Sequence, residues 1–241
     1  TFCLHRTDFI LSLLPQYLHY ITEPFSVPEG AGKIMASRHF LCYNRREVIT
    51  MKNASKPKVC VAGVGAIGGL LAALIGRSRR AALSVIARGA RQEAIRQKGV
   101  VLDSDLFGHI VARPEAAAED GSALGVQDYV LICVKNYSLD AIAEQIAPCI
   151  GDDTVLLPVM NGIEAGDRLR RRFPHAVVGD SVIYTITAAE TDFSARQEGA
   201  YTYMTIGSKS PNEKERDKVK ALAALLRDTG LDCRWTEDIE S

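Results

Sequence analysis

The sequence predicts an α/β protein with a Rossmann-like, doubly wound and mostly parallel sheet that antiparallel strands extend. Three observations support this prediction. Between Lys58 and Phe173, short apolar runs rich in β-branched residues alternate with helix-like segments, as in parallel sheets with helical crossovers. A glycine-rich turn follows the first of these runs. After Ala176, strand-like runs follow one another without long helices between them, which favours antiparallel pairing.

The first strand and its turn carry the clearest functional signal. Lys58–Val61 suits a buried parallel strand, and a helix-like run, Leu70–Ile75, follows the turn. Between them the glycines stand in the spacing G-x-G-x-x-G. In dinucleotide-binding folds these glycines allow the tight turn, the close approach of a pyrophosphate and the packing of helix on strand. The alternative is a purely structural turn. The predicted pyrophosphate site consists of Gly63, Val64, Gly65, Ala66, Ile67 and Gly68.

The end of the second strand indicates which dinucleotide binds. The strand Ala82–Ala87 ends at Arg88. An acidic residue near this place accepts hydrogen bonds from the ribose 2′-hydroxyl of NAD, whereas an arginine accommodates the 2′-phosphate of NADP. The planar guanidinium donates two hydrogen bonds at once, and its charge is permanent. Arg88 therefore favours NADP(H), and the alternative is a solvated arginine at a strand end.

Two further strands deliver polar residues to the same edge of the sheet. Lys135 follows the strand Asp128–Val134, and Asn161-Gly162 follows the strand Thr154–Met160. Because ligands of open α/β sheets bind at the carboxyl ends of the strands, we predict that Lys135 and Asn161 contact the cofactor. Asn161 is also the candidate for contact with a substrate carbonyl. The alternatives are a lysine that marks a strand's exit to solvent and ordinary Asn-Gly turn chemistry.

The remaining predicted elements complete this pattern. The predicted helices are Arg91–Lys98, Leu139–Ile150, Ile163–Phe173 and Asn212–Leu226. The predicted strands are Val100–Leu102, His109–Val111, Val177-Val178, Val182–Ile186, Ala200–Ile206 and Leu231–Trp235, whereas Ala116–Ala118 is too short to interpret. The predicted segments are an N-terminal extension over residues 1–56, a cofactor-binding domain over 57–208, and a terminal helix and strand over 209–241. We hypothesise that Met51 is the natural start and that residues 1–50 lie outside the fold, with an organelle-targeting segment as the alternative.

Composition argues against several function classes. The 241 residues carry 29 Lys+Arg and 29 Asp+Glu, so no charge excess favours nucleic acid or an anionic membrane as a partner. No apolar run has the length of a membrane span. The six cysteines are scattered and form no C-x-x-C pair. This favours a reducing, cytoplasmic setting, with neither a disulfide framework nor a metal site.

Taken in order, these motifs resemble the ketopantoate reductase family over residues 58 to about 240. The resemblance lies in GVGAIGG at 63–69, AR-G at 87–89, QKGVVL at 97–102, the strand that ends at Lys135, and MNGI at 160–163. It implies NADPH-dependent reduction of 2-dehydropantoate (ketopantoate) to pantoate, a step toward pantothenate and coenzyme A. It further implies that the glycine turn holds the pyrophosphate, Arg88 the 2′-phosphate, and Lys135 the cofactor, with Asn161 near both the nicotinamide ribose and the substrate.

One feature of the family has no match in this sequence. The family's proton-donating lysine lies on a helical C-terminal domain that would begin right after Glu240, so the resemblance implies that this lysine lies beyond Ser241. The alkoxide that hydride transfer produces needs such an acid. We therefore predict no catalytic residue in this chain, a small keto acid as the substrate of the parent enzyme, and little turnover by this chain alone. The oligomeric state stays open, with a homodimer as one possibility.

Three alternative functions stay open beside this prediction. They are a reductase of another 2-keto acid or keto lactone, a non-catalytic NADP-binding sensor, and a methyltransferase-like nucleotide binder. Lys135 and Asn161-Gly162 argue against the last of these, because they add two motifs beyond the glycine turn.

Overall fold

The structure of the protein is a computed structural model that describes residues 55–239. The predicted start at Met51 and nearly all of the predicted N-terminal extension lie outside these residues. Ser241 also lies outside them, so the placement of the proton-donating lysine beyond Ser241 stays a prediction. Within residues 55–239, none of the helices combines the length and the apolar character that crossing a membrane requires.

Strands and helices alternate along most of the described chain. The strands are β1 (Lys58–Ala62), β2 (Ala82–Ile86), β3 (Val100–Ser104), β4 (Gly108–Ala112), β5 (Ala116–Ala118), β6 (Tyr129–Ile132), β7 (Val155–Pro158), β8 (Val177–Val178), β9 (Asp180–Ala189), β10 (Ala195–Gly207) and β11 (Asp232–Trp235). The α-helices are α1 (Ala66–Ser78), α2 (Gly89–Lys98), α3 (Leu139–Ile146), α4 (Ala165–Arg172) and α5 (Glu213–Arg227).

The first sheet is doubly wound around its central strand. Its six strands run parallel in the order β5-β2-β1-β6-β7-β8. The chain builds outward from β1 first to one side and then to the other, so the switch point lies between β1 and β6. The predicted α/β fold class is thereby confirmed. Ala116–Ala118, too short to interpret from the sequence, forms the edge strand β5 and pairs with β2 in the register Ser84↔Ala116.

The antiparallel strands lie elsewhere than predicted. They do not extend the first sheet; β9 and β10 join β3, β4 and β11 in a second, mixed sheet of five strands. In this sheet β9 pairs antiparallel with β10, whereas β3 and β11 run parallel to β10. Of the strands after Ala176, only β8 adds to the first sheet, where it runs parallel to β7.

Helix α1 lies between the two sheets and explains their separation. Its residues Gly68–Ile75 are all buried. A Cβ on Gly69 would lie 2.8 Å from the Cβ of Ala195 at the start of β10, so the second sheet packs directly on the helix. A helix that is apolar on all sides needs cover on all sides. The first sheet covers one side of α1, and the second sheet covers the opposite side.

Apolar clusters cover both faces of the first sheet. On one face Val59, Val61 and Leu131 pack with α1 and the second sheet. On the other face Cys60 and Ile132 pack with α3 and α4. Because its central strands are covered on both faces, their sequences are continuous apolar runs rather than alternating ones.

Several helix ends differ from the predicted ends for local reasons. Helix α3 ends at Ile146, and a 3₁₀ turn over Ala147–Cys149 follows, which includes Pro148; proline lacks the N–H that would continue the helix. Residues Asn161–Glu164 stay in the loop before α4. Asn212 is the N-cap of α5, and its side chain accepts a hydrogen bond from the Lys214 N–H at 3.1 Å.

Candidate cofactor-binding site

Two glycines of the turn after β1 are required by packing alone. Gly63 has a φ of +92°, and a Cβ there would lie 2.6 Å from Val134 Cγ1. A Cβ on Gly68 would lie 3.1 Å from the Cβ of Cys133 and 3.0 Å from the carbonyl carbon of Gly63, and the Gly63 carbonyl oxygen would be closer still. The Gly63 N–H donates to the Ile86 carbonyl oxygen at 3.0 Å. The turn is therefore held tightly between the carboxyl ends of β2 and β6.

Gly65 differs from the other two because the space beside it is open. No atom of residues 55–239 outside its own chain neighbours lies within 4 Å of the position that a Cβ on Gly65 would occupy. Gly65 is the N-cap of α1, no side chain caps this helix start, and its first turn contains no acidic residue. Unpaired N–H groups and the positive end of the helix dipole therefore face open space. This arrangement fits the pyrophosphate of a dinucleotide.

Two side chains between the glycines face the protein rather than the open space. Val64 is 3% exposed and belongs to the apolar core, and Ile67 packs against that core. The cofactor contacts predicted for Val64 and Ile67 would therefore be made by their backbone groups.

Arg88 lies at the same edge of the sheet as the glycine turn, one strand away. It follows β2 directly, next to β1, and it is the N-cap residue of α2. Its side chain is exposed and makes no hydrogen bond or ion pair with the residues that the structure describes. The guanidinium is therefore accessible to an anionic ligand at this edge.

The loops after β6 and β7 bring Lys135 and Asn161 to this edge. Both residues are exposed. Lys135 follows β6, which pairs with β1, and Asn161 follows β7, the next strand in the sheet. The two loops approach each other, because Nδ2 of Asn136 lies 3.7 Å from the position of a Cβ on Gly162. Gly162 itself has a φ of +110°. The predicted site residues thus converge on the carboxyl edge of four adjacent strands, β2, β1, β6 and β7.

An arginine that the sequence analysis missed links these two loops. Nη1 of Arg168 donates to Oδ1 of Asn136 at 3.1 Å, and Nη2 donates to Oδ1 of Asp140 at 2.6 Å. Arg168 lies on α4, which follows the Asn161 loop, and its partners follow Lys135. They are 32 and 28 residues away in sequence, so no local pattern reveals this contact.

Two large apolar side chains project beside these polar groups. Tyr137 is 88% exposed and follows Lys135 by two residues, and Ile163 is 91% exposed and follows Asn161 by two residues. Exposed apolar side chains next to polar groups are typical of ligand-binding and interaction surfaces. They supply apolar surface that a cofactor ring or another part of the protein can cover.

Burial makes the thiol beneath the glycine turn a poor nucleophile. Burial raises the pKa of Cys133 to about 12, so the thiol stays protonated at neutral pH and packs as a small apolar group. Within residues 55–239, no three His, Cys, Asp or Glu side chains lie close enough together to hold a metal ion.

Comparison with known proteins gives a consistent family assignment. The sequence model of the family described as "Ketopantoate reductase PanE/ApbA" matches residues 59–211. A 2-dehydropantoate 2-reductase of Mesorhizobium japonicum is 33% identical over 205 residues, which cover 76% of this chain and 61% of that protein. An uncharacterized oxidoreductase of Bacillus subtilis, YkpB, is 29% identical over 118 residues, or 48% of this chain and 37% of that protein. The chain thus spans about three fifths of the Mesorhizobium relative.

Solved structures agree with this assignment. A 2-dehydropantoate 2-reductase from Porphyromonas gingivalis W83 has a TM-score of 0.70 at 29% identity, over 77% of this chain and 66% of that one. The enzyme of the same name from Methylococcus capsulatus has a TM-score of 0.66 at 25% identity, over 76% and 57%. D-mandelate dehydrogenase, solved with NADH and anilino(oxo)acetate, has a TM-score of 0.65 at 19% identity, over 76% and 57%, and so shares the fold. With a family match over residues 59–211, the chain belongs to the ketopantoate reductase (PanE/ApbA) family.

Proposed function

We propose that this chain is the cofactor-binding part of an NADPH-dependent 2-dehydropantoate 2-reductase, which reduces ketopantoate to pantoate on the route to pantothenate and coenzyme A. The observation that carries the proposal is the open space at Gly65. There an uncapped helix start faces the same sheet edge as Arg88, Lys135 and Asn161. Family membership supplies the reaction and the keto-acid substrate.

Each residue at the edge has a proposed role in binding NADPH. The N–H groups of the glycine turn and of α1 hold the pyrophosphate. Arg88 forms a bidentate, charge-assisted contact with the 2′-phosphate. Lys135 contacts the cofactor, and Asn161 donates and accepts hydrogen bonds at the nicotinamide ribose and the substrate. When bound, the cofactor supplies the hydride; the chain's own groups orient it at the sheet edge.

The proton for the reduced carbonyl is assigned outside this chain. Reduction of a ketone leaves an alkoxide that needs an acid within hydrogen-bonding distance. We propose, as the family resemblance implies, that this acid is a lysine on a helical domain of the parent enzyme. The proposed role of this chain is therefore to bind the cofactor, and we expect little turnover in the absence of that domain.

Parallel fluorescence titrations of the full chain with NADPH and NADH test the proposal. We expect tighter binding of NADPH. In Arg88→Ala the NADPH affinity should fall by about 10- to 100-fold, because a charge-assisted contact contributes about 1.5–3 kcal/mol, while the NADH affinity changes little. Arg171→Ala, an exposed arginine on α4, is the matched control and should bind like the wild type. A folded chain that binds neither cofactor, or an Arg88 variant that keeps the NADPH preference, would refute the proposal.

A further inference from the structure

A second cleft lies at the opposite, amino-terminal edge of the first sheet. Lys56 before β1, Ala81 before β2 and Glu115 before β5 line it, together with the end of α1 and strand β4. Its volume is about 540 Å³, within the range of small-molecule sites. The five residues of β1, at about 3.3 Å each, separate this edge from the candidate cofactor site by roughly 16 Å. The two sites are therefore distinct.

The cleft carries an excess of positive charge. Lys56, Arg77, Arg79 and Arg113 line it, against the single carboxylate of Glu115. The protein as a whole has a net charge of zero, so the excess is a local feature. The negative end of the α1 dipole offsets only about half a charge, which leaves more than two positive charges without compensation.

These cations lack carboxylate partners within the described part of the chain. Arg77 donates from Nη1 to the Phe107 carbonyl oxygen and from Nη2 to the Thr229 carbonyl oxygen, both at 3.2 Å. Arg113 donates from Nη1 to the Gln97 carbonyl oxygen at 3.3 Å. The Arg77 guanidinium also lies over the Phe107 ring, 5.7 Å from the ring centroid. Carbonyl oxygens orient a guanidinium without neutralising it, so both arginines keep an uncompensated charge.

Some arginines elsewhere in the described chain are paired with carboxylates. Arg196 is bound to Asp105 at 2.5 Å, Arg234 is bound to Asp232 at 2.6 Å, and Arg170 is bound to two aspartates. Pairing with a carboxylate is thus one arrangement of arginines in the described chain, and the cleft lacks it. Its unpaired cations repel one another unless an anion joins them.

The floor of the cleft is apolar and closely packed. Leu83, Ile110 and Ala112 are 3%, 5% and 3% exposed. A Cβ on Gly76 would lie 2.6 Å from the Cβ of Ala112 and 3.2 Å from Cδ2 of Leu83. A ligand that fits this arrangement carries its negative charge at the rim and an apolar body over the floor.

We propose that this cleft is a second ligand site, which binds a small organic phosphate. A phosphate carries close to two negative charges at neutral pH, which matches the excess charge of the rim. Arginine side chains bind phosphate oxygens in a bidentate manner. Arg113, Arg79 and Lys56 hold the phosphate, and the apolar part of the ligand lies on Leu83, Ile110 and Ala112.

Titration of the ¹⁵N-labelled full chain with phenyl phosphate, followed by NMR, tests this site directly. Phenyl phosphate combines a phosphate with an apolar ring, and inorganic phosphate serves as the comparison without the ring. We expect chemical-shift changes at the amides of Gly76, Leu83 and Ala112, and weaker binding of inorganic phosphate. The affinity should fall as salt is added, because the contact is between charges near the surface.

Charge reversal tests the assigned residues. Lys56→Glu and Arg113→Glu, both exposed positions, should each weaken phenyl phosphate binding by at least about tenfold and leave the NADPH titration unchanged. Arg171→Glu on α4 is the matched control. Shift changes confined to residues 63–68 in the wild type, or equal affinity in the two variants and the control, would overturn the proposal. The wild-type shifts decide the question even where a variant folds poorly.

Discussion

Separate alanine substitutions of Gly68 and Gly65 distinguish the packing role of the glycine turn from its binding role. In Gly68→Ala the new methyl group meets the Gly63 carbonyl group and lies 3.1 Å from the Cβ of Cys133. Both neighbours are fixed to the backbone, so they cannot rotate away. Overpacking of this kind costs about 1–3 kcal/mol, and sometimes more. Since 1 kcal/mol corresponds to roughly 2–4 °C in a domain of this size, we expect Tm to fall by roughly 2–12 °C.

Gly65→Ala should change stability little and weaken cofactor binding. Among residues 55–239 its methyl group meets no atom within 4 Å, apart from its immediate chain neighbours, and the φ of −92° needs no left-handed backbone. The remaining cost is the preference for glycine over alanine at an N-cap, about 1 kcal/mol or less. The methyl group would fill the space that we assign to the pyrophosphate. We therefore expect NADPH binding to weaken by at least about tenfold, or roughly 1.4 kcal/mol.

Thermal unfolding followed by circular dichroism and NADPH fluorescence titration on the same samples provide both measurements. Each variant is the other's control, because both add one methyl group to the same turn. The reasoning fails if Gly65→Ala loses as much stability as Gly68→Ala. It also fails if Gly65→Ala binds NADPH as tightly as the wild type.

Three further outcomes follow from individual contacts. Arg168→Ala removes the link to Asn136 and Asp140, so NADPH titration should show an affinity several-fold weaker than that of Arg171→Ala; equal affinities would contradict a positioning role. Burial raises the pKa of the Cys133 and Cys233 thiols to about 12, so mass spectrometry should find both alkylated at pH 8 only after unfolding, and fast labelling of the folded chain would contradict this. Hydrogen bonds from Ser194 and Lys98 hold the pKa of Asp192 well below its ordinary value of 3.8. Because its folded-state pKa is depressed, the charged carboxylate stabilises the fold above the ordinary pKa value, and this stabilisation is lost as the pH falls from that value toward the folded-state pKa. Urea titrations should therefore show that Asp192→Asn loses less stability below pH 4 than the wild type does. Equal losses in the two proteins would count against the contact.

Apart from its short edge strand β5, the first sheet could be predicted from the sequence because its signals are local. Continuous apolar runs identify strands covered on both faces, and the glycine spacing identifies the turn after β1. The carboxyl ends of parallel strands lie at one edge, so the convergence of Arg88, Lys135 and Asn161 followed from their positions alone. The structure confirms this shared edge; their contacts with NADPH stay predictions.

The second sheet could not be placed from the sequence. Alternation in β10 shows that this strand has one covered face, but it does not show which element covers that face. In the structure Gly68–Ile75 of α1 are all buried, so two surfaces must cover this helix. The close approach of Gly69 to Ala195 identifies the second of these surfaces.

The amino-acid sequence by itself determined the strands of the first sheet other than β5, the glycine turn and the edge where the candidate binding residues lie, because each depends on residues close together in the chain. Tertiary structure alone decided which glycine leaves open space, which arginine joins the loops after β6 and β7, and where unpaired cations gather beside β4. The physical reason is that these properties depend on distances between residues far apart in sequence. Gly65 and Gly68 are the same residue type in one motif, yet one faces open space and the other faces the Gly63 carbonyl group.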